Sequence, residues 1–213
     1  MAIIRMARRT ISPATTRAVD KASTHERILE SASRLIRRSG FAAASVPAVM
    51  RGAGLTIGGF YAHFRSKRAM DAEVLRRTLA DVRQGWFDGL EHREGLDWLR
   101  RALRRYLSPA HRDAIDTGCA FPATLSELTR ADKATRAAMA EAFEAVVRDL
   151  AAHAPPTGSM TPRERALAAT ALCIGGLTLS RILRDHPSSD EVLRACLRWA
   201  LPEDSLTLTS TWT

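Results

Sequence analysis

Apolar residues recur at helical spacing along nearly the whole chain, and no stretch alternates apolar and polar residues as a strand would. In the first third, the pattern predicts a helix that starts with a capping box at Ser23 and runs to Ser39, before Gly40. Two short helices follow between 45 and 64, and a long helix begins at Lys67. This pattern predicts a compact head of three helices, followed by a long connecting helix.

The remainder of the chain also has an all-helical pattern. Its longest apolar run is interrupted by Gly175 and Gly176, so we predict no segment that spans a membrane. The predicted fold is therefore all-α, with a small helical head and a larger helical domain. The helices predicted in the larger domain cover about 96–107, 119–129, 133–153, 162–184 and 190–201.

The stretch SVPAVMRGAGLTIGGFYAHFRSK, residues 45–67, has the outline of a helix-turn-helix. Gly54 can adopt the positive φ that a turn between two short helices requires. Thr56 is placed to cap the second helix, in which Phe60 and Phe64 lie one turn apart. We expect this second, recognition helix to run from Thr56 to Phe64 and to enter a major groove of DNA by its N-terminal end.

Part of this stretch, GLTIGGFYAHFRSK, resembles the DNA-binding signature of the TetR family of bacterial transcriptional regulators. The resemblance implies a three-helix DNA-binding head, joined by a long lever helix to a ligand-binding and dimerisation domain. It further implies a cytoplasmic homodimer that represses from a palindromic operator and is released by a small-molecule effector. Ile57 stands where relatives vary and offers no side-chain hydrogen bond to a base. The matching positions are Gly54, Leu55, Thr56, Gly58, Gly59, Phe60, Tyr61, His63, Phe64 and Lys67.

Candidate DNA contacts follow from the geometry and from the resemblance. Gly58 and Gly59 have no side chains, so the backbone there can approach DNA closely. The resemblance implies that Tyr61, His63 and Lys67 donate hydrogen bonds to phosphates; the alternatives are a packing role for Tyr61 and a plain surface position for His63. Hydroxyls at the starts of the two short helices lie where a phosphate would be favoured. The predicted DNA-binding residues are Ser45, Thr56, Ile57, Gly58, Gly59, Tyr61, His63 and Lys67.

The charge distribution agrees with a nucleic-acid partner. Residues 1–70 contain 13 Lys and Arg against 3 Asp and Glu, whereas residues 71–213 contain 19 against 20. The positive charge behind the net charge of +9 therefore lies in the part of the chain that contains the helix-turn-helix. Such a segment favours binding to a nucleic acid, because each neutralised phosphate releases counterions. A solvated basic surface is the alternative for such a charge run.

The domain division follows these patterns. Residues 1–22 are predicted to form a flexible basic arm, which could follow the phosphates or enter a minor groove of DNA. The alternatives are a disordered leader, or a leader that is partly an artefact of a start codon upstream of Met6. The DNA-binding head is predicted at 23–66, the effector-binding and dimerisation domain at 67–205 and a C-terminal tail at 206–213.

The chemistry of the chain does not indicate an enzyme. The six histidines are scattered, and neither metal-ligand spacing nor a phosphate-binding glycine loop is present, so no cofactor is predicted. Three cysteines without regular spacing argue against a disulfide framework. A non-specific architectural DNA-binding protein is the alternative function, but it leaves the large neutral helical domain unexplained.

Two further expectations concern the larger domain. Helices 162–184 and 190–201 correspond by position to the pair with which TetR relatives dimerise; the alternative is that Ala169, Cys173, Gly176 and Leu177 pack inside the monomer. The other expectation is an apolar effector pocket, for which ordinary core packing is the alternative at every position. Cys119, at a predicted helix start, is either a reactive thiol or a buried structural cysteine. The candidate pocket residues are Trp86, Trp98, Tyr106, Cys119, Phe121 and Phe143.

Overall fold

The computed structural model describes residues 13–155 and 159–201, with side chains from Asp20 onward. Within these residues the chain is helical and has no strand, which confirms the all-α prediction. A short 3₁₀ helix (Ile57–Ala62) lies between the second and third α-helices. The α-helices of the described chain are α1 (Pro13–Ala43), α2 (Val46–Gly52), α3 (Lys67–Phe87), α4 (Gly95–Tyr106), α5 (Pro109–Asp113), α6 (Phe121–Leu128), α7 (Lys133–His153), α8 (Pro162–Ile182) and α9 (Ser188–Ala200).

The smaller of two hydrophobic clusters forms the core of the head. It joins the apolar stripe of α1 to α2, to the 3₁₀ helix and to the first turns of α3. Because Met70 and Val74 belong to it, this core continues past residue 66, where the sequence placed the end of the head. Its buried residues are Ile28, Leu29, Ala32, Ile36, Ala44, Val49, Met50, Ala53, Phe60, Phe64, Met70 and Val74.

Helix α1 begins at Pro13, so the predicted start at Ser23 is wrong. Ser23 is an exposed residue inside the helix, where its capping-box pattern has no helix end to cap. Lengthening an existing helix needs no new nucleus, so residues with little apolar pattern can continue it. The part of the predicted flexible arm at 13–22 is thus helical, while 1–12 lies outside the described residues, as does the predicted tail at 206–213.

Gly40 interrupts α1 close to its end. Its backbone has φ 80° and ψ 178°, in the left-handed half of conformational space that glycine tolerates. Regular helix therefore stops at Ser39, as the sequence predicted, and a further helical turn follows up to Ala43.

The larger cluster is built from α3, α4 and α6 to α9, whose bounds agree with the predicted helices to within a few residues. Helix α5 is the exception, because the sequence pattern treated Pro109 as the end of the preceding helix. Proline is favoured in the first helical turn, and the Ser108 side chain accepts a hydrogen bond from the His111 amide to cap α5. The largest fully buried side chains of this cluster are Leu99, Leu103, Leu107, Leu150, Leu177 and Leu193.

Helices α8 and α9 approach closely at Gly176. A Cβ atom at this position would lie 2.8 Å from Sγ of Cys196 and 3.1 Å from Cδ2 of Leu107, so no larger residue fits. A Cβ on the neighbouring Gly175 would meet no atom within 4 Å. The close helix crossing expected at this glycine pair is therefore present at Gly176, inside one chain. The residues for which monomer packing was the alternative are all buried within the chain: Ala169, Cys173, Gly176 and Leu177.

Among the described residues, α8 is the one helix long and apolar enough to cross a membrane by length and composition. It runs unbroken through Gly175 and Gly176, as the predicted helix 162–184 does, so the two glycines interrupt the apolar run without ending the helix. The helix packs against α7 and α9, and 39% of its most apolar stretch of 18 residues is buried. Core helices of helical proteins can be equally long and apolar. The packing of α8 against α7 and α9 identifies it as a core helix.

Candidate nucleic-acid interface

The helix-turn-helix is held together by short-range caps and by α1. The Ser45 side chain accepts a hydrogen bond from the amide of Ala48 and so caps the start of α2. Gly54 has φ 68°, the left-handed conformation expected for the turn. Two side chains of α1 then clamp the end of α2: Ser31 Oγ donates to the Val49 carbonyl at 2.8 Å, and Arg27 Nη2 donates to the Ala53 carbonyl at 2.6 Å.

The recognition segment is a 3₁₀ helix rather than the α-helix expected from Thr56 to Phe64. Its two consecutive glycines, Gly58 and Gly59, disfavour the α-helix because glycine loses the most backbone entropy there. Thr56 occupies the N-cap position but its side chain forms no capping hydrogen bond. The segment is oriented instead by Phe60, which is fully buried and stacks on Phe64 with ring centroids 5.4 Å apart.

The face opposite Phe60 is open to solvent. The side chain of Ile57 is 53% exposed and that of Tyr61 is 69% exposed. A Cβ atom added to Gly58 would meet no atom within 4 Å, and one added to Gly59 would make an ordinary contact of 3.7 Å with Met50. Neither glycine has a positive φ. Nothing within the described chain therefore requires glycine at these two positions.

His63 is less accessible than the sequence suggested. Its Nδ1 atom is buried without a hydrogen-bond partner, while its ring centroid lies 5.8 Å from that of His25. His25 donates a 2.8 Å hydrogen bond from Nε2 to Glu73 and stacks on Phe64. Burial, followed by the charges of His25 and Lys21, lowers the pKa of His63 from its ordinary value of 6.5. The imidazole is therefore neutral at pH 7 in the free protein.

Lys67, the last of the predicted phosphate contacts, already has two partners inside the head. Its ammonium donates to the Phe41 carbonyl at 3.1 Å and to Asp71 at 2.6 Å. An ammonium has three N–H donors, so one remains for a phosphate. Any contact that Lys67 makes with DNA thus comes from a side chain already fixed in place.

Two exposed arginines flank the recognition segment and were not identified from the sequence. Arg51 lies in the last turn of α2, and Arg65 follows Phe64 directly. Among the described residues neither forms an ion pair, unlike Arg68, which pairs with Asp132. The sequence could have indicated both arginines, because they lie on either side of the recognition segment. They were missed because the predicted contacts followed the positions of the family signature.

The six predicted pocket residues do not line one common cavity. Trp86, Tyr106 and Cys119 line one cleft of about 260 Å³ between α3, α4 and the segment after α5. Phe121 lines a smaller space next to it, on the side of α1. Trp98 is a core residue stacked on His153 at 4.0 Å. The sixth candidate, Phe143, is partly buried and packs against the larger cluster.

The polar groups on the floor of this cleft bind one another. His111 contacts the Tyr106 carbonyl through Nδ1 at 2.8 Å and accepts the Cys119 amide hydrogen through Nε2 at 3.0 Å. Burial raises the pKa of the Cys119 thiol, which therefore remains protonated near pH 7. This supports the buried structural alternative for Cys119 over a reactive thiolate. In the part of the chain that the structure describes, no group of three metal-ligating side chains occurs.

These features define a helix-turn-helix DNA-binding protein with a separate all-helical domain. A family model, bacterial regulatory proteins of the tetR family, matches residues 28–74. This range coincides with the head and with the part of α3 that contributes to the core of the head.

Solved structures extend the similarity to most of the chain. Reduced NemR of E. coli is 25% identical, with a TM-score of 0.69 over 84% of this chain and 95% of that one. A TetR-family regulator from Agrobacterium tumefaciens is 21% identical, with a TM-score of 0.69 over 85% and 100%. One from Chloroflexus aurantiacus is 24% identical, with a TM-score of 0.67 over 85% and 94%. A search of curated proteins found no significant match. The head of this chain thus matches the model of the TetR family of bacterial transcriptional regulators, and its overall fold is similar to that of solved TetR-family regulators.

Proposed function

We propose that this TetR-family regulator is a ligand-responsive repressor that acts as a homodimer on a palindromic operator in the bacterial cytoplasm. The observation that carries the proposal is the solvent-exposed recognition face formed by Ile57, Gly58 and Tyr61. Glycine in a helix costs about 1 kcal/mol relative to alanine, and no contact within the chain accounts for Gly58. Close approach of a DNA backbone accounts for it.

The same face supplies the phosphate contacts that we propose. Tyr61 presents an exposed phenol next to the glycines, while Ser45 and Thr56 place hydroxyls at the starts of the two short helices. Arg51 and Arg65 add two exposed cations at its edges. Phosphate contacts position a protein on DNA without reading sequence. Base reading is left to Ile57 and to the backbone at the glycines.

Dimerisation is supported by exposed apolar side chains on the two C-terminal helices, α8 and α9. Leu179 and Ile182, in the last turns of α8, are 51% and 72% exposed, and Trp199 of α9 is 81% exposed. A tryptophan with so much surface in water is typical of an interface, where large aromatic residues contribute most of the binding energy. Gly175 on α8, with open space at its Cβ, would let a second helix approach.

An effector site is supported by the cleft of about 260 Å³ beside α3. Helix α3 belongs to both hydrophobic clusters: Met70 and Val74 pack in the head, and Trp86 packs in the larger domain and lines the cleft. A ligand that shifts the Trp86 end of this helix would therefore also shift the head. If effector and operator favour different positions of α3, each weakens the binding of the other by the same factor. We assign no catalytic activity to the protein.

The direct test is a footprint of the purified protein on its own promoter, followed by competition with random DNA. A repressor should protect a palindrome and should keep it against at least a thousandfold excess of random sites. Salt-sensitive binding with no sequence preference would instead support an architectural DNA-binding protein.

Tyr61→Phe provides a matched test of the recognition face. Because the phenol is exposed, its removal should change the free energy of unfolding by less than about 0.5 kcal/mol. Loss of a hydrogen bond to a charged phosphate should weaken binding to all DNA sequences by about tenfold or more. Undiminished affinity in this variant would remove Tyr61 from the interface.

A further inference from the structure

A carboxylate of the larger domain is hydrogen-bonded to the backbone of the head. Glu127 in α6 accepts the amide hydrogen of Phe41 at 2.7 Å through Oε2 and that of Ala42 at 2.9 Å through Oε1. The two bonds use both oxygens of one side chain, and they join residues that are more than eighty positions apart. We call this pair of bonds the Glu127 latch.

The local backbone is shaped to accept the latch. Gly40 immediately precedes the two amides, and its φ of 80° interrupts the regular backbone of α1 at this point. A Cβ atom on Gly40 would lie 2.6 Å from Oε2 of Glu127 and 3.0 Å from the Ala123 carbonyl. Both the conformation and the space at this position therefore require glycine, and the space is limited by α6 itself.

The other side of this short segment is held by the head. The Phe41 carbonyl accepts the Lys67 ammonium, which also binds Asp71. Phe41 is thus bonded through its N–H to the larger domain and through its carbonyl to the start of α3. One residue connects the effector domain to the helix that follows the recognition segment.

Helix α6 is also a wall of the spaces in which a ligand would act. It begins directly after Cys119 and Ala120, next to the cleft described above, and Phe121, Thr124 and Leu128 line the smaller space toward α1. Glu127 itself lines a further cleft of about 430 Å³, together with Phe41 and Asp71. Displacement of α6 would therefore change the position of the carboxylate relative to the two amides.

We propose that Glu127 is a positioning residue for DNA binding, which sets the orientation of the helix-turn-helix head relative to α6 through the latch. The step by which a bound effector releases or moves the latch rests on the proposed function. The orientation itself does not, because it follows from contacts within the single chain.

Other polar contacts between the head and the larger domain are less suited to this role. Arg38 pairs with Asp116 and Arg68 pairs with Asp132, but the arginine of each pair is largely exposed. Exposed ion pairs contribute little to the free energy of folding, because fixing two long side chains in one geometry costs entropy. Glu127 instead binds two rigid backbone groups with a charged acceptor, the stronger class of hydrogen bond.

The test compares Glu127→Gln and Glu127→Ala with wild type in the full-length protein. Glu141→Gln, which removes the same charge from an exposed position on α7, is the matched control. The first measurement is amide hydrogen exchange at Phe41 and Ala42. Glutamine can accept one of the two bonds, so exchange should be slowest in wild type, faster in Glu127→Gln and about tenfold or more faster in Glu127→Ala.

The second measurement is affinity for the footprinted operator, at a temperature well below the unfolding midpoint of every variant. Operator affinity should fall about threefold or more in Glu127→Ala, because part of the binding free energy must then be used to orient the head. Operator affinity should stay at the wild-type value in Glu141→Gln. A residue that only stabilises the fold would lower the unfolding midpoint without changing operator affinity.

Two results would overturn the inference: unchanged exchange at Phe41 and Ala42 in Glu127→Ala, or faster exchange with wild-type operator affinity. Failure of the proposed function has a different signature, since the wild-type protein would then show no preference for any operator over random DNA. The hydrogen-exchange measurement needs no DNA, so it tests the Glu127 latch whether or not the proposed function is correct.

Discussion

The Nζ atom of Lys67 lies 2.6 Å from Oδ2 of Asp71, one helical turn further along α3. The other carboxylate oxygen, Oδ1, is buried and has no hydrogen-bond partner. Burial raises the pKa of Asp71, although the hydrogen bond and charge of Lys67 act in the opposite direction. This partly buried pair ties the start of α3 to the end of α1, since Lys67 also binds the Phe41 carbonyl.

We expect Lys67→Ala to affect both stability and DNA binding. It leaves the carboxylate of Asp71 partly buried without its cation, which should lower the free energy of unfolding by about 1–3 kcal/mol. If the third N–H of the ammonium reaches a phosphate, affinity should fall for every DNA sequence. The slope of log affinity against log salt concentration should then decrease by about 0.9.

Asp71→Asn is the control for that variant. Its amide oxygen can still accept from Lys67, and it removes a charge whose burial is unfavourable. Since the folded-state pKa of Asp71 is raised, its ionisation destabilises the fold as pH rises through that pKa, and this contribution should be absent in Asp71→Asn. Chemical denaturation at several pH values measures it. Loss of DNA affinity equal to that of Lys67→Ala would mean that the ion pair, and not a phosphate contact, is what matters.

Gly58→Ala should make the protein more stable but a weaker DNA binder. The added methyl group meets no atom of the chain and replaces the least favourable helix residue apart from proline, a gain of about 0.5–1 kcal/mol. The same methyl group would hold the backbone away from DNA. Gly85→Ala in α3 has equally open space and should give a similar gain in unfolding free energy without loss of operator affinity. Equal DNA affinity in both variants would contradict close approach at Gly58.

Operator affinity should increase as pH falls from 7.5 toward 6. Burial keeps the pKa of His63 below 6.5 in the free protein, and a phosphate that accepts a hydrogen bond from the ring would raise it, so DNA binding would take up a proton. His25, Lys21 and Glu73 are the titratable groups around the ring. The increase should be about two- to fivefold in anisotropy titrations and smaller in His63→Gln.

The free protein should show the opposite trend. Because its folded-state pKa is lowered, His63 favours the neutral form, and this contribution to stability is lost as pH falls below 6.5. His92→Gln, at an exposed site of the larger domain, is the control and should retain the wild-type pH dependence of DNA affinity. An identical pH dependence in His63→Gln would assign the effect to another group.

Trp199→Lys should separate the proposed dimer while leaving each chain folded. The side chain is 81% exposed, so the free energy of unfolding of the monomer should change by less than about 0.5 kcal/mol. At an interface, loss of a central tryptophan typically costs about 2 kcal/mol or more, so sedimentation should show a dissociation constant raised at least about thirtyfold.

Met160→Lys is the control for the dimer prediction. Met160 is also exposed, but it precedes α8 and so lies outside the two helices that carry the proposed interface. It should therefore leave the dissociation constant unchanged. Dimers of Trp199→Lys as stable as those of wild type would place the interface on another surface.

Most helices of this protein could be predicted because their signals are local. The predicted range 133–153 matches α7 at both ends, and the capping box of Thr161 and Glu164 starts α8 where expected. The turn at Gly54 was predictable for the same reason, since a positive φ is a property of one residue. Local signals failed at Ser23, where the same capping pattern occurs inside a longer helix.

The partners of polar side chains could not be predicted in this way. The sequence places Lys67 at a phosphate-binding position of the family motif, but its contact with the Phe41 carbonyl depends on how α1 packs on α3. The six pocket candidates were chosen by residue type, and packing alone separates Trp86 in the cleft from Trp98 in the core.

The sequence by itself therefore determined the class of protein: its helices, its helix-turn-helix and the TetR family signature are encoded in short stretches whose chemistry acts locally. The tertiary structure alone decided the burial of His63 and the bonds from Glu127 to Phe41 and Ala42. Each of these depends on groups distant along the chain, and the distance between such groups is set by the packing of whole helices.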